Sequence, residues 1–247
     1  RTTALMTAIF PGRHEPRCVQ VLLDAKADPD TQSPMGDTAL MRSCQLGIEL
    51  VTRVLLDARA AVNIMDNKQW TALMYACQGV NEMCALAVIK AHADLEQQTR
   101  TGRTALIVAC YNSYGHCAQV LIDACANLNQ QTTIGSTALM IACQHGYVLH
   151  VLSLMKGRAD IERQTNQGTT ALMFSCRNDS MECALVLLQC GAAVNTTSRY
   201  GTALMSAVRN GRLPYVKLLS SFATLRVDDE LERVAKQSGH DEIAVWL

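Results

Sequence analysis

Short apolar runs alternate along this chain with short polar, turn-forming stretches, and neither kind grows long. In Ala39-Leu40-Met41-Arg42-Ser43-Cys44 the apolar side chains fall at helical spacing behind Thr38, a competent N-cap, and Gly47 stops the run. A second apolar stretch follows and closes on Leu55-Leu56, and a connector rich in Asp, Asn and Gln comes next. The pattern predicts a short helix, a turn, a second short helix and a loop. Helices this short are marginal in water, so each pair must bury its apolar stripe against neighbouring pairs.

The arrangement recurs. Thr-Ala-Leu-Met, or Thr-Ala-Leu-Ile at one position, begins at Thr3, Thr38, Thr71, Thr104, Thr137, Thr170 and Thr202, at spacings of 35, 33, 33, 33, 33 and 32. Ala or Ser follows at Ala8, Ser43, Ala76, Ala109, Ala142, Ser175 and Ala207, and then often a cysteine: Cys44, Cys77, Cys110, Cys143 and Cys176. A fixed period of this length marks stacked repeats. The frame continues through pairs such as Leu121-Ile122 and Leu187-Leu188 to closures such as Ala93-Asp94-Leu95 and Ala192-Ala193-Val194-Asn195.

This unit resembles the ankyrin repeat, whose pattern is Asp-x-x-Gly-x-Thr-Pro-Leu-His-x-Ala-Ala-x-x-Gly followed by Leu-Leu-x-x-Gly-Ala-Asp-x-Asn. The resemblance covers essentially the whole chain. It implies an all-α ankyrin-repeat solenoid of stacked antiparallel helix pairs with projecting β-hairpin loops. It also implies one domain over residues 1–247, with repeats starting near 1, 33, 66, 99, 132, 165 and 198 and a partial capping repeat at 225–247.

The chain departs from that pattern in four places. Alanine replaces the proline in every copy. Met6, Met41, Met74, Ile107, Met140, Met173 and Met205 replace the histidine, putting an adaptable apolar side chain where a hydrogen-bonding one would stand. Lys26, Arg59, His92, Cys125 and Arg158 take the place of the glycine that ends the second helix, which Gly191 keeps; a left-handed backbone there carries strain. Ser33, Thr99, Thr132 and Thr165 open the loops where the family has Asp, with Asp66 the exception; a hydroxyl makes the same local turn bonds more weakly.

Composition narrows the function. The 247 residues are 49% hydrophobic and 18% charged with a formal net charge of zero, which suits a packed core and gives no bulk attraction to nucleic acid or an anionic membrane. No apolar run approaches the roughly 20 residues of a spanning helix, so no direct membrane insertion is expected. The 11 cysteines contain no CxxC pair, and most occupy core positions of the repeat. Free thiols of this kind suit a reducing compartment and predict an intracellular protein, most naturally cytoplasmic, with an organelle interior left open.

No catalytic site, metal site, cofactor or small-molecule substrate is expected. The chain has no GxGxxG or GxxxxGK[ST] cradle, and its histidines are scattered at 14, 92, 116, 145, 150 and 240. Cys77/Cys84, Cys110/Cys117 and Cys176/Cys183 recur with the fold and are expected to pack between the two helices of one repeat.

What remains is recognition. The resemblance implies a concave groove made from hairpin tips and the exposed face of each first helix. On those positions stand Trp70, Tyr75, Arg100, Arg103, Tyr111, His145, Phe174, Arg177, Arg199, Tyr200 and Arg209, with Arg42 and Ile141 on the same faces and Asp37 the single acid. Aromatic and arginine side chains dominate binding hot spots. The expected partner is a protein, presenting an acidic segment with apolar anchors to a scaffold or adaptor. Two alternatives stay open: a non-catalytic structural subunit of a large assembly, and a regulatory ankyrin segment of a larger enzyme or channel. The insertion around Pro11–Arg17 and the shortened loop before Gly201 are expected to be end effects.

Overall fold

A computed structural model describes residues 3–9, 16–112, 116–222 and 229–247. The start of the first repeat, most of its insertion, and the opening of the capping repeat lie outside the described residues. The chain divides into two compact units, Arg1–Gln130 and Gln131–Leu247.

In the first unit the helices are α1 (Ala4–Ala8), α2 (Pro16–Asp24), α3 (Ala39–Leu46), α4 (Glu49–Asp57), α5 (Ala72–Gln78), α6 (Glu82–Lys90), α7 (Ala105–Ala109) and α8 (Cys117–Asp123). They pack as consecutive pairs in two rows, α1-α3-α5-α7 and α2-α4-α6-α8. The second unit repeats the plan with α9 (Ala138–His145), α10 (Val148–Lys156), α11 (Ala171–Asn178), α12 (Met181–Gln189), α13 (Ala203–Arg209), α14 (Leu213–Phe222), α15 (Asp229–Gln237) and α16 (Asp241–Trp246). Its rows are α9-α11-α13-α15 and α10-α12-α14-α16.

The threonine of each motif starts its helix as expected. The hydroxyl oxygens of Thr3, Thr38, Thr71, Thr104, Thr137, Thr170 and Thr202 accept from the N–H three residues on at 3.2–3.4 Å. The Leu-Met that follows fills the core: Leu40, Met41, Leu73, Met74, Leu139 and Met140 are each 1% exposed. Methionine thus puts mainly packing where a hydrogen-bonding histidine would stand, though Met140 Sδ also accepts from Thr137 N–H at 3.5 Å and Met205 is only half-buried; full burial of such a side chain is worth roughly 1.5–3 kcal/mol.

The second helices end in a left-handed residue. Lys26, Arg59, His92, Cys125 and Arg158 have φ of 63–65°, so the strain expected from the missing glycines is present. At Arg59 the geometry still satisfies the helix end: its N–H donates to Leu56 O at 2.9 Å and that of Ala60 to Leu55 O at 3.0 Å.

The projecting loops are tight turns, not strands. Ser33 N–H donates to Asp37 O at 2.9 Å and Gly36 N–H to Ser33 O at 2.8 Å. Among the described residues only the isolated bridge between Ser198 and Gly201 has β character. The loop-opening residues act as anticipated. Oδ1 of Asp66 accepts from the N–H groups of Lys68 and Trp70, both at 2.8 Å, and Thr99, Thr132 and Thr165 each accept one four residues on.

Neighbouring loops are stitched by backbone. Asn67 donates from N–H to Met35 O at 3.1 Å and from Nδ2 to Pro34 O at 3.0 Å. Asn166 does the same to Ile134 O and Thr133 O in the second unit. The approach requires glycine: a Cβ on Gly36 would lie 2.7 Å from Asn67 N, and one on Gly135 2.6 Å from Asn166 N. Both also have positive φ, 82° and 81°. Deeper in the connectors, Asp30, Asn63, Glu96 and Glu162 each accept a backbone N–H 31 residues further on, at 2.7–2.8 Å.

Candidate partner-binding surface

The non-repeating side chains of the tips and first helices gather into small groups. In the first unit the rings of Trp70, on a tip, and Tyr75, on α5, lie 5.2 Å apart and tilted by 45°. Both are half-buried. The Tyr75 hydroxyl donates to Asp66 Oδ2 at 2.7 Å, so helix face and tip are joined. Burial and then the Asp66 carboxylate push the Tyr75 phenol well above its ordinary pKa. One repeat on, the Arg103 guanidinium sits 4.6 Å from the centre of the Tyr111 ring, while Arg100 is exposed on the tip beside it.

In the second unit His145 is exposed and stacked on Tyr147, which sequence reasoning did not single out, with ring centres 5.4 Å apart. Phe174 is half-buried on α11. Arg177 lies 5.9 Å from the Tyr200 ring centre, and Arg209 donates from Nη1 to Tyr200 O at 2.8 Å. Arg199 is exposed and ties its tip to the previous one, its N–H donating to Gln167 O at 2.9 Å. Ile141 departs from expectation. It is 2% exposed and belongs to the core.

Two inter-repeat clefts open on these faces, and they differ in chemistry. The first, about 110 Å³, is lined by Asp37, Arg42, Asp66, Lys68 and Tyr75 together with Met35, Met41 and Gln45. Its charges cancel. Arg42 Nε lies 2.6 Å from Asp37 Oδ2, and Ser33 also donates to Asp37. Burial alone would raise the Asp37 pKa, but the Ser33 hydroxyl and Arg42 hold it below the usual value. Arg42, counted in the sequence among the cations of the face, is therefore neutralised. The second cleft, about 210 Å³, is lined by Thr169, Met173, Arg177, Ser198, Tyr200, Ser206, Arg209 and Asn210. No carboxylate lines it. In repeat register, Thr169 replaces Asp37, Ser198 replaces Asp66, Ser206 replaces Tyr75, and Arg177 and Arg209 replace Gln45 and Gln78.

The cysteines also meet across repeats. Eight of the eleven are buried and unbridged, as packing thiols should be, while Cys18 on α2 is exposed. Six of the eight meet a thiol of the next repeat: Cys44 with Cys84, Cys77 with Cys117, and Cys143 with Cys183. This raises the pKa of Cys44 and Cys77 and lowers those of Cys84, to about 7, Cys117 and Cys183. Thr52 closes the first network, its hydroxyl 2.9 Å from Ser43 Oγ and 3.5 Å from Cys84 Sγ. A constant separation of 40 residues was the available signal. Among the described residues no cluster of three or more His, Cys, Asp or Glu is placed to hold a metal, and no helix is long and apolar enough to cross a membrane.

Comparison with known proteins agrees with this architecture. The family model described as ankyrin repeats in three copies matches residues 5–98, 79–165 and 150–229. No protein of curated function matches the chain. The crystal structure of the ankyrin repeat domain of Bcl-3, a unique member of the IkappaB protein family, superimposes with a TM-score of 0.75 at 22% identity, over 83% of this chain and 94% of that one. Such domains are generally non-catalytic modules that bind proteins. With its capped helix pairs, buried Thr-Ala-Leu-Met frame and stitched loops, the chain belongs to the ankyrin-repeat family.

Proposed function

We propose that this chain is an intracellular interaction scaffold that holds a partner protein against the tips and first-helix faces of its repeats. The observation that carries the reading is the division within each repeat. Frame residues are buried, while Trp70, Tyr75, Arg103 and Tyr111 in the first unit and Arg177, Tyr200 and Arg209 in the second keep exposed or half-exposed surface on the tips and first helices of their own repeats. Arginine and aromatic anchors suit an acidic segment bearing apolar side chains. The eight buried free thiols suit a reducing compartment.

The test is quantitative capture with wild-type protein and with the Trp70→Ala, Arg103→Ala double variant as baits. Partners that use this surface are lost from the variant, whose affinity drops by more than about 2 kcal/mol. Equal capture by both baits refutes the assignment.

A second reading, a structural subunit buried also on its second-helix side, draws on one observation. Leu50 and Met83 in the first unit are 63% and 47% exposed, and Leu149 in the second is 75% exposed, all on second helices. Substituting the three by Glu leaves a tip-bound partner attached but releases the chain from such an assembly.

A further inference from the structure

The two inter-repeat clefts occupy equivalent places in the repeat, and they differ both in side chains and in the loop before Gly201, which is one residue shorter than its counterpart before Thr71. In the first unit Asp37 and Arg42 cancel, Asp66 is held by Tyr75, and Tyr75 is one of the lining residues. In the second unit Ser206 stands at the Tyr75 position and the cleft is about twice as large, about 210 Å³ against about 110 Å³. Two guanidinium groups line it without any carboxylate. Arg209 is positioned by its bonds to Tyr200 O at 2.8 Å and to Met205 Sδ at 3.5 Å, which use two of its five N–H donors and leave the rest available. Arg177 leans on the ring of the same Tyr200. The nearby acid Asp179 is engaged elsewhere, 2.9 Å from Arg212 Nη1.

From this arrangement we infer that the cleft between the sixth and seventh repeats receives a phosphorylated side chain of a partner peptide. The inference rests on the reading that the partner is acidic, and goes further by naming the group and its seat. Two fixed positive charges match a phosphoryl group of about −1.5 to −2, whereas a single carboxylate balances only one. The planar guanidinium fork fits phosphate oxygens bidentately, and the larger cleft carries the small Ser206 where the first unit has Tyr75. The first-unit cleft, neutral and half the size, takes no anion.

The test uses the whole chain and three peptide libraries of random sequence around one fixed central residue: phosphoserine, glutamate or serine. The phosphoserine library binds at least tenfold more tightly than the serine library, with glutamate between them. Arg177→Gln and Arg209→Gln each remove that preference while the melting temperature stays unchanged, and Arg42→Gln leaves the preference intact. Glutamate binding as tightly as phosphoserine overturns the phosphoryl assignment and leaves the acidic-partner reading standing. A phosphoserine preference that survives both arginine substitutions overturns the location. Equal binding of all three libraries overturns this inference and the acidic-partner reading together.

Discussion

The hydroxyl of Tyr75 donates a 2.7 Å hydrogen bond to Oδ2 of Asp66, nine residues earlier in the chain. The bond fixes a loop tip to the helix that follows it. Asp66 is only 8% exposed, and its other oxygen is already held by two backbone N–H groups. Removing one donor to a buried carboxylate costs about 1.5–3 kcal/mol. Tyr75→Phe should therefore lower stability by roughly 1.5 kcal/mol in urea titration, with no change in helix content. A loss within measurement error would show that the tip is held by its own turn alone.

Cys125 occupies the left-handed position after α8 with φ 63°, and it brings no cation to offset the strain. It is also exposed, so replacing it removes no packing. Cys125→Gly should stabilise the chain by about 1 kcal/mol, read as a raised melting temperature. Arg59→Gly should gain less, because the guanidinium it removes faces the negative end of a helix dipole.

Thiol chemistry separates acidity from access. Cys18, Cys125 and Cys190 are exposed and the other eight cysteines are buried. Native protein should react with a disulfide reagent at three sites within minutes and at eleven only after denaturation. Cys84 is the sharpest case. The Cys44 thiol lowers its pKa to about 7, yet it is 1% exposed. Peptide mapping should find it unlabelled in the native state, because the reagent must reach the sulfur before its acidity counts.

At the register position of Cys84, Cys117 and Cys183 the fifth repeat carries His150. It is 6% exposed, and its Nε2 has no hydrogen-bond partner among the described residues. Burial depresses its pKa below the ordinary 6.5. The unfolded chain therefore takes up the proton first as pH falls. The stability present above about 6.5 is lost as pH drops through the lowered folded value. Melting temperatures between about pH 7.5 and 5 should fall less for His150→Leu than for the wild type. Parallel curves would rule out His150 as the source of any acid sensitivity.

Much of the fold was legible because a threonine cap, a Leu-Met pair and a small residue return at a nearly constant interval. Each is a local requirement of a short helix, and local requirements survive in sequence. The left-handed residues at Lys26, Arg59, His92, Cys125 and Arg158 were readable for the same reason, since their position in the repeat alone forces the conformation. The candidate surface was legible only as a set of positions. That Trp70 pairs with Tyr75, Arg103 with Tyr111, and Arg177 and Arg209 with Tyr200 depends on side-chain reach across a turn or between repeats.

Composition and spacing by themselves determined the repeat, its helices, its caps, and which residues stand outside the frame. Only the tertiary structure decided how those outside residues combine. It cancelled Arg42 against Asp37, drew Ile141 into the core, linked thiols 40 residues apart, and left Arg177 and Arg209 in a cleft without an acid. The physical reason is range. A helix start or stop is settled within a few residues, whereas charge balance and packing are settled between atoms that meet only when one repeat is laid against the next.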